Sequence, residues 1–323
     1  MTAPGVPNAR RFPRVTILTP SYNGARYIRE AVESVRRQKY PDLEHIVFDA
    51  GSTDRTLEIL RNYPTLCVVS ECDEGAHDAM NKGIRRASGE IIGFLNTDDI
   101  YPEGVVSAVE QAFAADPALD VAVGRTVVFE ETNRGTRRVV VARDHARENG
   151  FWLPELTFGA PGLNGRFFHR RVFERIGDFT NDYYISADRH FLMRVAMSGL
   201  KAKHIGRTSV LYRLHPGSAT INAQGRQKEA MAREHVRMAR ELRSIAHDRV
   251  AREILAAWHT LESVKLVLTG FRALRTKQSL EELFGLCRRD PFWVLRIPRF
   301  VSLRNAVRRL DLGPKTAQGE ALS

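Results

Sequence analysis

Two adjacent carboxylates, Asp98 and Asp99, follow the apolar run IIGFL at 91–95. A buried strand that delivers paired acids to its C-terminal end can set a divalent cation beside a phosphate. Other residue types in the first hundred positions suit the same ligand. Tyr22 can stack on a base, Asp49 can accept from a nucleobase N–H, and Lys82 can place positive charge near phosphates or their sugar. Hard oxygen donors with one imidazole suit Mg²⁺ or Mn²⁺ better than Zn²⁺. Such an ion would neutralise a departing diphosphate, which is Lewis-acid catalysis. Each residue also has a plainer reading. Paired acids cap helices, a turn tyrosine packs, and a helix lysine is solvated. Their order along the chain, and the elements that carry them, favour the joint reading.

Those elements alternate. VTILT at 15–19 is a short β-branched run that ends in the turn formers Pro20, Ser21, Tyr22, Asn23 and Gly24. A helix follows, with Ile28, Val32 and Val35 at helical spacing. Residues 45–48 read as a second strand ending at Asp49, before the loop AGSTDRT. A short helix from Leu57, a strand at 66–69, a helix at 76–87 and a strand at 90–95 complete the series. Strand–helix alternation predicts an α/β chain with a parallel sheet between helices. Ligands bind such sheets beyond the C-terminal strand ends, so the loops holding Tyr22, Asp49, Asp73 and Asp98 should share one edge.

After Asp99 the pattern changes. A helix at 103–115 leads to a hairpin, 121–130 with 137–142, turning around Thr132, Asn133, Arg134 and Gly135. Residues 150–165, rich in Gly, Pro and aromatics, suggest a structured loop over a ligand more than a helix or strand. Short helices are expected at 170–176 and 187–198, then a β-rich stretch leading to Tyr212, Arg213 and His215. The expected division is a loose lead-in at 1–13, a catalytic domain at 14–220 and a basic helical region at 221–323. That last region holds 20 Lys and Arg against 11 Asp and Glu, so it carries most of the net charge of +11. Apolar stripes there (Met231, Met238, Leu242, Ile245; Val250, Ile254, Trp258, Leu261) read as helix-packing faces. Phe300, Leu303, Val307 and Leu310, opposite Arg299, Arg304 and Arg308, suit either a core-capping helix or one lying in a membrane interface. Three cysteines without ligand spacing argue against a disulfide framework or a zinc site. The sequence shows no apolar signal segment and no run near the roughly 18 apolar residues of a spanning helix. A cytoplasmic location is expected, with peripheral contact at the inner face of the plasma membrane through 290–311. No nucleic acid is expected as a partner, because no binding motif accompanies the basic tail.

The pieces TILTPSYNG at 16–24, DAGSTDRT at 49–56, DAMNKG at 78–83 and LNTDD at 95–99 together resemble the family 2 glycosyltransferases. The likeness continues more loosely through RRVFERIGDF, SADRHFLMRV and LYRLHPGSAT, to about residue 220. DAMNKG with ASGEIIGFLNTDD is similar to a subgroup found in bacterial colanic-acid, capsule and exopolysaccharide synthesis. The resemblance implies a GT-A (Rossmann-like) fold: a mixed, mainly parallel sheet flanked by helices, here with a C-terminal helical extension. It implies nucleotide-sugar contacts from Pro20, Ser21, Tyr22, Asn23, Asp49, Gly51, Ser52, Asp78, Asn81, Lys82, Asn96 and Asp98. It gives Asp98, Asp99 and His215 as the metal or diphosphate site, and Asp188 the place of the catalytic base. A carboxylate in the first turn of a helix is kept ionised by the helix N-terminus, which suits a base. Three departures stand out. Asn96 replaces an acid common among relatives, Ala76-His77 replaces Ile-Tyr, and Asn164-Gly165 replaces His-Gln.

The expected function is an inverting, hexosyltransferase-type glycosyltransferase. It would move a sugar from a nucleotide donor, UDP-linked as the commonest case, to a hydroxyl of a lipid-linked or polysaccharide acceptor. Two other classes compete. A nucleotidyltransferase should show a Gly-rich basic loop after the first strand, where this chain has PSYNG. A non-catalytic nucleotide-sugar-binding relative would not hydrolyse nucleotide sugars with Mn²⁺.

Overall fold

A computed structural model describes residues 13–132, 135–218, 225–309 and 311–312. The first half alternates as expected: β1 (Val15–Ser21), α1 (Ile28–Arg36), β2 (Leu43–Asp49), α2 (Thr56–Leu60), β3 (Cys67–Ser70), α3 (Ala76–Arg86) and β4 (Ile91–Phe94). Strands β1–β4 are mutually parallel in the order β3-β2-β1-β4, so their C-terminal ends share one edge. Strand order reverses at β1, and that reversal opens the crevice where α/β sheets take ligands.

After α4 (Val105–Ala115) the sheet becomes antiparallel. Strand β5 (Val121–Glu131) pairs with β6 (Arg137–Arg143), as the hairpin reading required; Asn133 and Arg134 of its turn lie outside the described residues. Helix α5 (Leu153–Phe158) leads to β7 (Arg166–His169), which slots between β4 and β5 and runs against both. Helices α6 (Arg171–Ile176) and α7 (Ala187–Met197) precede β8 (Ala202–Leu214), which lies parallel to β5. A strand has two edges, so β7 and β6 share one edge of β5, end to end, while β8 takes the other. Residues 150–165, expected to be loop, contain the α5 turn. Pro154 sits in its first turn, where a missing N–H costs nothing.

Side chains alternate across the sheet and feed two cores. Ile17, Ile91, Ala122 and Phe167 pack with Val105, Val109 and Phe113 of α4. Leu18, Ile92, Val121, Val123 and Phe168 pack with α3 and α7. Gly83 lets α3 lie directly on β1, since a Cβ there would stand 2.9 Å from Leu18 Cδ1.

Helices α8 (Gly225–Ile245) and α9 (Arg249–Arg272) add Met238, Leu242, Ile254 and Trp258 to that second core, while Ile245 and Val250 at the ends of the expected stripes are exposed. Helices α10 (Thr276–Arg289) and α11 (Ile297–Arg308) follow, and β9 (Asp311–Leu312) pairs with β6. The face of α11 offered for membrane contact is instead spent inside the protein. Phe300 packs with Ala257 and Leu261, Val307 is buried, and Leu303 lies against the main core. Burying two large apolar side chains against α9 and α5 satisfies the amphipathic pattern without a bilayer; Leu310 lies outside the described residues. Among the described residues, no helix is long and apolar enough to cross a membrane.

Candidate active site

A cavity of about 1440 Å³ opens at the C-terminal edge of the parallel strands. Pro20, Ser21, Tyr22, Asn23, Asp78, Asn96, Asp98, Asp188 and His215 all line it. These residues come from loops up to 195 positions apart, yet they face one space. Tyr22 is 64 % exposed, so its ring is available for stacking on a base. Ser21 is buried in the wall, and its Oγ has no hydrogen-bond partner among the described residues.

Asp98 is half-buried and accepts from His215 Nε2 at 2.8 Å. His215 Nδ1 accepts from the Gly217 N–H at 3.2 Å, so the ring proton sits on Nε2. To act as a metal ligand through Nε2, the neutral ring has to move that proton to Nδ1 and give up the Gly217 contact. The donor set of a carboxylate, an imidazole and a nearby amide fits a hard divalent cation. Among the described residues no group of three or more His, Cys, Asp or Glu is already clustered for one. The remaining positions would then fall to ligand oxygens and water, as is usual for Mg²⁺.

Asp99 is placed differently from its neighbour. It is fully buried, and its two oxygens accept from the Arg213 N–H at 3.0 Å and from the Asn164 amide. Burial, then the neighbouring Asp98 charge, pushes its carboxyl well above the ordinary range. Fully buried and off the cavity wall, it supports the turn from behind in this arrangement. Asn164, one of the departures noted in the sequence, is its partner.

Five other expected contacts lie outside the cavity wall. Asp49 is buried and saturated by its own loop, accepting from Gly51 N–H, Ser52 N–H, Ser52 Oγ and Ser70 Oγ. A carboxylate has about four acceptor sites, so none remains for a nucleobase in this arrangement. Gly51 and Ser52 belong to that turn, and Ser52 Oγ also receives the Asn23 N–H at 2.8 Å. Asn81 bridges to both the N–H and C=O of Phe179, at 3.0 and 2.8 Å, tying α3 to the turn before Asp188. Lys82 points away from the cavity, donating to Cys72 O at 2.9 Å and pairing with Glu71 and Asp78 at 3.2 Å. It holds the acidic loop that does line the cavity, Asp73, Glu74 and Asp78.

Asp188 stands in the first turn of α7, half-buried at the cavity wall, with one oxygen accepting from the Arg189 N–H at 2.7 Å. The other oxygen has no such constraint from the helix start, which suits a group that must meet an incoming hydroxyl.

Three further residues shape the cavity or support its wall. Arg213 is buried. Its guanidinium donates to Asp98 C=O at 2.9 Å, forms ion pairs with Glu30 and Glu131, and lies 4.7 Å from the Tyr27 ring centroid. It fixes the turn that carries both acids. At the same cavity, His145 is buried between Thr126 Oγ1 at 3.1 Å and Glu155. Burial lowers the His145 pKa, against the pull of Glu155. The neutral ring then donates from Nδ1 to Glu155 and accepts the Thr126 hydroxyl at Nε2. Tyr184, 76 % exposed at the cavity, adds a second aromatic surface; its run TNDYYI carries no pattern that singles it out.

The profile described as "Glycosyl transferase family 2" matches residues 16–177. An uncharacterized glycosyltransferase of Mycobacterium tuberculosis is 32 % identical over 192 residues, covering 57 % of this chain and 70 % of the relative. The chondroitin synthase of Escherichia coli is 30 % identical over 229 residues, 68 % of this chain but 32 % of that larger protein. Among solved structures, TarS of S. aureus superposes with a TM-score of 0.61 at 17 % identity, covering 92 % of this chain and 52 % of that one. The mannosyltransferase PcManGT of Pyrobaculum calidifontis, solved with GDP-Man and Mn²⁺, gives 0.54 at 22 % identity, covering 94 % and 87 %. Both structural likenesses speak to the GT-A fold. The profile match spans half the chain, and the mycobacterial relative is covered over more than two thirds of its length. The chain belongs to the family 2 glycosyltransferases.

Proposed function

We propose that the protein is an inverting glycosyltransferase that uses a nucleotide sugar, with UDP as the nucleotide and a hexose-type sugar. The acceptor is a hydroxyl of a lipid-linked or polysaccharide intermediate, as in the colanic-acid and capsule subgroup its DAMNKG segment resembles. The observation that carries this reading is one cavity shared by Tyr22, Asp98, His215 and Asp188. The neighbours TarS, solved with UDP-GlcNAc, and PcManGT, solved with GDP-Man and Mn²⁺, make a nucleotide-sugar donor and a divalent cation the natural ligands to test.

In this reading Tyr22 stacks on the base, while Pro20, Ser21 and Asn23 line the nucleotide. Asp98, with His215 beside it, would hold Mg²⁺ or Mn²⁺, which supplies charge to neutralise the departing diphosphate. Asp188 takes the proton of the acceptor hydroxyl. That oxygen forms a bond to the anomeric carbon from the face opposite the diphosphate, the bond from carbon to phosphate oxygen breaks, and the nucleoside diphosphate leaves with the electron pair. One displacement inverts the anomeric centre. General-base assistance is typically worth about 10²–10⁴-fold.

The test has two arms. Nucleotide sugars incubated with Mn²⁺ and the wild-type chain should release nucleoside diphosphate, by transfer or by slow hydrolysis. Asp188→Asn should lose about 10²-fold or more in turnover while nucleotide binding, read by thermal shift, survives. Near-normal turnover in that variant removes Asp188 from the base role. Absence of release from every nucleotide sugar would favour the non-catalytic relative.

A further inference from the structure

The outer face of α10 and the segment after it carry large apolar side chains that nothing among the described residues covers. Leu274 is 89 % exposed, Phe284 70 %, Phe292 68 % and Leu295 74 %. Leu280, Phe284 and Arg288 follow one another at four-residue steps, with Lys277 one turn before, so they share one stripe of the helix. The opposite side of α10 is engaged: Ser279 and Leu286 are buried, and Ser279 abuts Gly270 of α9. The stripe is therefore not a misplaced core face. It continues at both ends, through Phe271 and Leu274 before the helix and Phe292 and Leu295 after it.

Charge around the stripe is mainly positive, with exposed Glu281 the one acid there that makes no ion pair among the described residues. Glu282 and Asp290 are held by Arg233 and Arg296, and Arg275 is held by Glu229. Arg272, Lys277, Arg288 and Arg289 make no ion pair among the described residues. Solvent-facing Phe and Leu interleaved with Arg and Lys are what a protein needs to enter the headgroup region of an anionic bilayer. A second copy of the chain is a poorer occupant. A twofold contact would set these same cations against their own copies.

We propose that the α9–α10 turn, the outer face of α10 and residues 292–295 form a docking surface for an anionic lipid bilayer. The membrane contact then lies on α10 rather than on α11, whose apolar face is already buried. Docking of this kind deepens the lipid-linked acceptor reading, and it rests on that reading for its purpose. The surface is also tied to the cavity. Gln227 of α8 lines the cavity, and Glu229, two residues on, holds Arg275 at the start of α10.

The experiment is co-sedimentation of the full chain with vesicles of phosphatidylcholine alone and of an equal mixture with phosphatidylglycerol. The wild type should prefer the anionic vesicles by about tenfold or more, and added salt should weaken that preference. The double variant Phe284→Ser, Leu295→Ser should lose about tenfold or more in vesicle binding, because two inserted side chains are removed. Its circular-dichroism melt should match the wild type, since both positions face solvent. Arg288→Gln with Arg289→Gln should weaken binding to the anionic vesicles alone. Wild-type protein that ignores the vesicles, or a serine variant that sediments like wild type, overturns the assignment. So does a serine variant that changes the mass of the particle in sedimentation velocity while vesicle binding stays constant, which would make the face a self-interface. Vesicle binding is read without sugar transfer, so its failure and a failure of the glycosyltransferase reading are told apart.

Discussion

The two flanks of the cavity are built differently. On one side, the loops after β1, β2 and β3 are held by their own residues: Asp49 by Gly51 and Ser52, Asn23 by Thr53 and Asp54, Lys82 by Asp78. On the other, the supports cross the chain. Arg213 reaches Asp99 across 114 positions and Glu30 across 183. The first flank is local and polar; the second is long-range and buried. The lesson is that the residues meeting the ligand and the residues fixing their geometry need not lie in the same motif.

That difference predicts where damage is worst. Arg213→Ala removes the guanidinium that holds the Asp98 carbonyl and takes the ion pair from Glu131, while Glu30 keeps Arg137. Breaking a buried pair by deleting one partner costs roughly 3–5 kcal/mol; Glu30 and Glu131 are about a third exposed, so the lower end, near 3 kcal/mol, is expected. Urea unfolding should show the loss, and donor binding should fall with it because the Asp98 turn loosens. A variant as stable as wild type would mean that the second flank is no scaffold.

Acidification should also weaken the second flank. Burial holds the His145 pKa below its ordinary value of about 6.5. Above pH 6.5 the ring is neutral in both folded and unfolded chains, and its contribution is full. As pH falls below that, the unfolded chain takes up a proton that the folded site resists, so stability is lost. Hydrogen exchange at residues 145–158 should therefore be faster, relative to the intrinsic rate, near pH 5 than near pH 7. His145→Gln should flatten the effect. Protection at 145–158 that does not change between the two pH values would deny His145 this part.

The same contrast explains what the sequence made visible. Strands β1–β4 show as short apolar runs closed by turn residues, because each is a local pattern buried on both faces. Asp98 and Asp188 show because they sit at element ends inside recognisable segments. The likeness to a family drew in Asp49, Asn81, Lys82 and Asp99 as well, and here the structure separates roles that a motif runs together. Asp98 faces the cavity while its neighbour faces the core, a half-turn that sequence adjacency hides. Arg213 and Asn164 could be noted only by position, and the Thr126–His145–Glu155 chain was not legible at all. Their meaning lies in partners brought near only by β7 and β8 closing on β4 and β5, and no periodicity reports that. The basic tail left two readings open. The amphipathic pattern of α11 was real, but a pattern does not say whether the apolar face meets lipid or protein.

Lys82 gives the smallest and sharpest test of the comparison. Its ammonium is tied to Cys72 C=O, Glu71 and Asp78 on the outside of the acidic loop. Partly exposed ion pairs of this kind contribute little to stability. Lys82→Met keeps the aliphatic stem along α3 and removes only the charge. The expected result is a small drop in melting temperature, with donor affinity changed by less than about threefold. Isothermal titration with UDP and Mn²⁺ separates the outcomes. A tenfold loss of affinity at unchanged stability would mean that the side chain swings inward to the phosphates when donor binds. The first flank would then share a property with the second, a residue whose role appears only when a distant partner arrives.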